Sequence, residues 1–240
     1  MNFRLPILFV AVITMFSACK GKDIVAPFDA NPPQVITVNT TTDTINIYQN
    51  NVRQNNTSSI YPGGATAYLP FLRGTQDFQI RRTGTTDVLF TKAISIDTTA
   101  YYTFFVAGTT ADKFFMTTDN LAAIYNTIAN GGFNNSAIRF VNASYNSGPL
   151  NVSVSTDDTL NVTSLKFGNT TPFVKFNPTR AQDVKIYLSS NTAKPLLDTT
   201  IQFLTGVIYT IYTKGTPATG TSLSTFDIGI TTNQYLLPVQ

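Results

Sequence analysis

Ile138-Arg-Phe-Val-Asn-Ala-Ser-Tyr-Asn-Ser-Gly-Pro-Leu-Asn-Val-Ser-Val154 reads as strand, turn, strand. A β-branched and aromatic run ends at Asn142, turn residues fill Asn146-Ser-Gly-Pro149, and alternation resumes at Leu150. A diverged copy lies earlier, at Val35-Ile-Thr-Val-Asn-Thr-Thr-Thr-Asp-Thr-Ile-Asn-Ile47. Val35–Asn39 aligns with Ile138–Asn142 at an offset of 103, and Ile45-Asn-Ile47 with Leu150-Asn-Val152 at 105.

The alignment extends through both halves. Ala67–Phe71 matches Pro172–Phe176 at 105, and Gln76–Ile80 matches Gln182–Ile186 at 106. Tyr102-Thr103 and Gly108-Thr109 match Tyr209-Thr210 and Gly215-Thr216 at 107. Matches in the same order with so small a drift imply two copies of one unit of about 100 residues.

Both copies alternate with the period of a strand. Val184, Ile186 and Leu188 share a face, as do Phe78 and Ile80. Val207–Thr213 and Tyr101–Val106 are denser runs, expected near a sheet centre or packed on both sides. Turn signals fall between the runs, among them Pro62-Gly-Gly64, Arg82-Thr-Gly84 and Lys214-Gly-Thr-Pro217. Short strands at such spacing predict an all-β chain of two tandem immunoglobulin-like β-sandwiches, about seven strands each, without the hallmark cysteines and tryptophan. Between the copies, Leu121, Ile124, Tyr125 and Ile128 fall at helical spacing. Asp119 could cap such a helix and Gly131 end it; the alternative is an irregular linker.

The first residues read as an address. Arg4 precedes an apolar run from Leu5 to Phe16, and Ser17-Ala18 are the small residues of a cleavage site. The run is shorter than the roughly 20 apolar residues of a membrane span. Cys19, the sole cysteine, follows directly. Phe16-Ser-Ala-Cys19 resembles the bacterial lipobox, which implies a diacylated Cys19 as the mature N-terminus; two or more acyl chains anchor stably where one does not. The resulting division is 1–18 signal peptide, 19–34 lipidated tether, 35–118 first sandwich, 119–132 linker and 133–240 second sandwich. Position 20 is Lys, so the aspartate that retains some lipoproteins in the inner membrane is absent. Lys20-Gly-Lys-Asp23 resembles short export signals of surface lipoproteins in the Bacteroidetes. The expected location is the outer membrane, facing the cell surface.

Composition argues against an enzyme. The chain has no His, no Trp, one Cys and thirteen acidic residues, all Asp. Ser-His-Asp and Cys-His catalysis and a His or Cys metal site lack their residues. A pair of aspartates could serve a glycosidase, but the one adjacent pair, Asp157-Asp158, sits in a turn. No catalytic residue, metal or cofactor is expected. The net charge of +3 is spread out, with Arg81-Arg82 the longest basic run, so no nucleic-acid partner is expected.

Ile138-Arg-Phe-Val-Asn-Ala-Ser144, followed by Pro149-Leu-Asn-Val152, resembles the domain-of-unknown-function 4397 family. The likeness is good over about 20 residues and looser across 137–232; the first copy joins only through the second. It implies an exported β-sandwich, often a lipoprotein, and brings no catalytic residues.

Other features are candidates for binding or modification. Asp-Thr-x at Asp43-Thr44, Asp97-Thr98, Asp158-Thr159 and Asp198-Thr199 resembles a Bacteroidetes O-glycosylation pattern, and equally suits a turn. Tyr61, Tyr68, Tyr101, Tyr102, Tyr145, Tyr187, Tyr209 and Tyr212 could include a sugar-stacking platform, or be strand residues. Asp157, Asp158 and Asn161 could supply oxygens to Ca²⁺, or form a solvated turn. The expected function is a lipid-anchored envelope module for binding or adhesion to a glycan or protein. The alternative is a structural or accessory subunit that docks through sheet edges or the tail Tyr235-Leu-Leu-Pro-Val239. An Asp-based hydrolase is the least favoured.

Overall fold

The computed structural model describes residues 31–240 except 57, 97–99, 131–133, 155–159, 219–223 and 237–240. Residues 31–240 form one compact unit. Among the described residues eight strands precede the helix α1 (Leu121–Ala129): β1 (Gln34–Asn39), β2 (Ile45–Gln49), β3 (Val52–Arg53), β4 (Leu69–Pro70), β5 (Gly74–Arg82), β6 (Val88–Ile96), β7 (Tyr101–Val106) and β8 (Phe114–Asp119). Eight follow it: β9 (Ser136–Val141), β10 (Leu150–Val154), β11 (Leu160–Leu165), β12 (Val174–Phe176), β13 (Gln182–Leu188), β14 (Leu197–Ile201), β15 (Val207–Lys214) and β16 (Asp227–Tyr235). Sequence patterning predicts seven strands per copy; two-residue strands such as β3 and β4 are too short to carry a period.

The two sandwiches share one topology. The first pairs the sheets β4-β1-β7-β8 and β3-β2-β5-β6; the second pairs β12-β9-β15-β16 and β11-β10-β13-β14. The strand, turn, strand stretch is therefore a crossover, with its two strands in opposite sheets. Register reproduces the sequence offsets. Val35 lies beside Tyr102 in the parallel pair β1–β7, and Ile138 beside Tyr209 in β9–β15. Val35 also faces Leu69 as Ile138 faces Val174, and Ile47 faces Ile80 as Val152 faces Ile186. Duplication is thus written in the hydrogen-bond ladders.

Each sandwich has its own core. Ile45, Ile47, Phe78, Ile80, Phe104 and Phe114 fill the first; Ile138, Phe140, Val152, Val184, Ile186 and Ile211 fill the second. Each such side chain contributes roughly 1.5–3 kcal/mol by leaving water. Phe104 meets Phe78 and Phe114 edge-on, with ring centroids 5.0 and 5.2 Å apart, the geometry that ring quadrupoles favour.

The dense runs have a reason beyond their own cores. Side chains alternate across a sheet. On β7, Phe104 enters the core while Phe105 points out; on β15, Ile211 points in and Tyr212 out. Outward-facing Ile36, Val38, Phe105 and Ala107 of the first sandwich pack on Val141, Ala143 and Tyr212 of the second. The inner sheets of the two sandwiches thus cover one another, and their central strands are buried on both faces.

Helix α1 closes one end of this seam. Its buried Leu121, Ile124 and Ile128 pack with Ala137, Ile208 and Leu236. Asp119 does not cap it: the N-cap is Asn120, which makes no side-chain capping bond. Asp119 ends β8 and turns into the seam, where its charge is met by Arg139. Gly131 lies outside the described residues.

Asn39 and Asn142, aligned by the sequence, perform the same task. Asn39 ends β1 and Asn142 directly follows β9, each with its side chain buried. Asn39 Nδ2 donates to the carbonyls of Asp43 (2.7 Å) and Ile60 (2.9 Å), and its Oδ1 accepts from Thr41 N (2.9 Å). Asn142 Nδ2 donates to Gly148 O (3.3 Å) and Leu165 O (3.0 Å), and its Oδ1 accepts from Ser144 N (3.1 Å). Main-chain bonds from each Asn tie down a second turn, through Gly63 and Gly64 in one copy and Gly168 and Asn169 in the other. Gly63 and Gly168 hold φ of 73° and 79° there, a conformation that favours glycine.

Candidate functional site

The copies differ where β2 and β10 meet their outer neighbours. In the second sandwich β11 runs for six residues along β10, with one register shift. In the first, β3 lasts two residues, and the chain returns to β2 only at the Ile45–Ile60 bridge. Asn55 fills the gap with its side chain: Oδ1 accepts from Ile47 N (3.0 Å), and Nδ2 donates to Asn46 Oδ1 (2.9 Å) and Ser58 O (2.7 Å). Gln54 N donates to Ile47 O (2.9 Å). The ladder demands of β2 are thus met without a strand.

The detour leaves a groove of about 630 Å³ along the open edge of the first sandwich. Residues 54–56 and 58–61 form one wall, and 64–67 with 69–70 the other. Ile60 and Leu69, which also belong to or pack on the core, contribute apolar lining. Asn56, Ser58, Ser59 and Tyr61 make no side-chain hydrogen bond to another described residue. Tyr61 is 68% exposed. The lining contains no charged residue.

A second polar cluster lies inside the seam. Arg139 and Asp119 are 1% and 2% exposed and form an ion pair through Nη2 and Oδ1. The guanidinium also donates through Nε to Thr210 Oγ1 (2.8 Å) and through Nη1 to Thr118 O (3.1 Å), and lies over the ring of Phe173. Oδ2 of Asp119 accepts from Tyr68 OH (2.6 Å), Thr103 Oγ1 (2.7 Å) and Asn233 Nδ2 (3.2 Å). Burial, and then the Asp119 charge, hold the Tyr68 phenol well above the usual tyrosine range. A buried pair this thoroughly bonded fixes how the sandwiches meet. It leaves no group free for acid–base work.

An aromatic row continues along the seam, from Tyr212 to Phe105, Phe115, Phe167 and Tyr145, with successive centroids 5.1–6.4 Å apart. Tyr212 OH donates to Gly63 O (2.8 Å), linking the copies. Burial pushes its pKa up to about 12.

The tyrosines do not gather into one platform. Tyr102 and Tyr209 are core residues, Tyr212 is buried in the seam, and Tyr68 is bonded to Asp119. Tyr187 is half-buried, and exposed Tyr101 meets Tyr68 edge-on. Tyr145 is exposed under the Lys113 ammonium, and Tyr61 stands at the groove. Sequence reasoning missed the groove and Arg139. The two asparagines at 55 and 56, beside a run too short to be a strand, were the signal available.

Thr44 is half-buried beside Asp43, which Arg82 holds at 3.1 Å. Thr199 is half-buried in strand β14, opposite Val184, and not on a turn. Thr98, Thr159, Asp157 and Asp158 lie outside the described residues, as does Cys19. Among the described residues no cluster of three His, Cys, Asp or Glu could hold a metal, and no helix is long and apolar enough to cross a membrane.

Comparison with known families assigns the second sandwich. Residues 136–231 match the domain of unknown function DUF4397. The DUF4397 match opens on Ser136, the first residue of β9, and closes within β16. No curated protein sequence matches the chain. Solved structures similar to it include family 41 carbohydrate-binding modules from streptococcal virulence factors, which recognise α-glucan (10% identity, 73% of this chain and 92% of that one, TM-score 0.23). A family 26 carbohydrate-binding module of Eubacterium rectale Amy13K, in complex with maltoheptaose, aligns at 9% identity over 86% and 98%, TM-score 0.26. A candidate cell adhesion protein from Bacteroides uniformis aligns at 10% identity over 85% and 99%, TM-score 0.26. The glycans named belong to those proteins.

Proposed function

We propose that this DUF4397-containing chain is a non-enzymatic binding or adhesion module of the cell envelope, held to the outer membrane by acyl chains on Cys19. One observation carries the binding reading. Two sandwiches of identical topology differ in that the first shortens an edge strand to two residues and leaves a groove rimmed by polar side chains that are unengaged among the described residues. An edge strand stabilises a sheet, so opening the edge needs a compensating use. The charges in the seam are consumed internally, which favours the groove as the ligand surface. The lipobox and the Pro-containing tether support a folded part spaced from a bilayer.

The test uses the full chain in detergent against arrays of glycans and of envelope proteins. Wild type should capture a ligand that Ala65→Arg, which fills the groove from an exposed position, no longer holds. Capture unaffected by that substitution, or none on either array, rejects the reading. For the anchor, metabolic labelling with a palmitate analogue should mark the protein and fail on Cys19→Ser; label on the variant would reject acylation there.

An accessory-subunit role is the second reading. It draws on β16, a nine-residue edge strand with exposed Ile230 and Tyr235 and one charged residue, Asp227. Such an edge can accept a partner strand.

A further inference from the structure

Resting on the binding reading above, we infer that the groove of the first sandwich takes a neutral saccharide chain, with Tyr61 as the stacking plane and Asn56, Ser58 and Ser59 as partners for sugar hydroxyls. Three observations select this chemistry over the other occupants of an open sandwich edge.

The first concerns peptides. A peptide joining the edge as a strand needs unpaired main-chain groups. Here Ile45 and Ile60 already exchange bonds, Ile47 N is held by Asn55, Ile47 O accepts from Gln54 N, and Thr66 N donates to Thr37 O. Little ladder is left to extend. The second concerns charge. No lysine, arginine or aspartate lines the groove. An acidic polymer or a lipid headgroup would bring charge with nothing to meet it. The third concerns what is offered. Amides and hydroxyls are the groups that hydrogen-bond sugar hydroxyls, and an exposed tyrosine ring beside apolar lining suits the C–H face of a pyranose. Asn55 and Thr66 are engaged in the fold, so the ligand-facing set is the part whose side chains have no hydrogen-bond partner among the described residues.

The second sandwich lacks the set. Lys166-Phe-Gly-Asn169 stands where the first has Tyr61-Pro-Gly-Gly64, and Phe167 packs on Phe115 in the seam. The set thus occurs once among the described residues, and a stoichiometry of one is expected.

Affinity electrophoresis of the full chain in detergent tests this, through gels containing neutral polymers (an α-glucan, a β-glucan, a mannan) or polygalacturonate. At least one neutral polymer should retard the protein, and polygalacturonate should not. Tyr61→Ala should weaken binding about tenfold and Asn56→Ala about threefold, the scale of one lost stacking or hydrogen-bonding contact. Tyr145→Ala, an exposed tyrosine away from the groove, should change nothing. Unchanged melting temperatures establish that the variants are folded. Neutral-polymer binding that survives both groove variants overturns the site and leaves the binding reading standing. Retardation by polygalacturonate alone overturns the ligand class. No binding to any polymer overturns the inference, and the protein array then decides whether the broader reading falls with it.

Discussion

The first and second sandwiches have the same eight strands in the same order, yet they have diverged in opposite senses. The second keeps a six-residue β11 against β10 and carries the family match at 136–231. The first has shortened that strand to Val52–Arg53, hung a loop on the side chain of Asn55, and opened a groove. The comparison teaches which parts of the unit are structural requirements. What both copies keep, the buried asparagine and the positive-φ glycine it holds, is needed to turn the chain between sheets. What one copy has dropped is free to acquire a use. The seam is asymmetric too. Arg139 of the second copy aligns with Ile36 of the first, so the ion pair with Asp119 occurs once, not twice.

The largest effect should come from breaking that asymmetry. Arg139→Ile installs the residue of the first copy and strands a buried Asp119 carboxylate, at a cost of about 3–5 kcal/mol. Urea denaturation measures it. The double variant Arg139→Ile, Asp119→Asn should recover part of the loss. Next come the shared hubs. Asn39→Ala and Asn142→Ala each remove a buried side chain that ties two carbonyls to a main-chain N–H across the crossover, and each should cost about 1–3 kcal/mol. Near-equal losses would support one role in both copies; a much smaller loss in the first would mean its crossover has found another anchor.

Tyr212→Phe removes the single bond to Gly63 O and should cost about 1 kcal/mol at neutral pH. It has a pH signature. The folded state holds Tyr212 protonated up to about pH 12 while the unfolded chain ionises near the ordinary tyrosine value of 10.0. Stability from this group is complete below pH 10 and is lost as pH rises towards 12. Wild type should therefore lose melting temperature over that window more steeply than Tyr212→Phe. Tyr68, raised as well, adds to the loss in both proteins. The smallest effect belongs to Lys185→Ala, which breaks an exposed 3.3 Å pair with Asp198 on the outer sheet of the second sandwich. A change within about 0.5 kcal/mol is expected in the same denaturation assay.

Much of the fold was legible because strand alternation is local. The runs at Val35, Ile138, Asp183 and Val207 carry period two or β-branched density, and comparing the halves supplied the register. Helical spacing at Leu121, Ile124 and Ile128 was legible for the same reason. Asp119 was not. Before a helical stretch an aspartate reads as a cap, and only the approach of Arg139, twenty residues on, makes it a buried ion-pair partner. The tyrosines misled likewise: Tyr102 and Tyr209 turn into their own cores, and Tyr212, outward-facing on β15, looks like part of a ligand platform until the other sandwich covers it. The groove left almost no local trace, since it comes from hydrogen bonds between Asn55 and a strand eight residues away.

That this chain is a duplicated all-β unit can be read from its residues alone, because alternation, turn chemistry and repetition are properties of neighbouring residues. Tertiary structure alone decided that the two sandwiches bury their inner sheets against each other, that one charge pair lies between them, and that one edge stands open. Those outcomes depend on which surfaces meet and which polar groups are left over after they do, and neither is a property of any short stretch of chain.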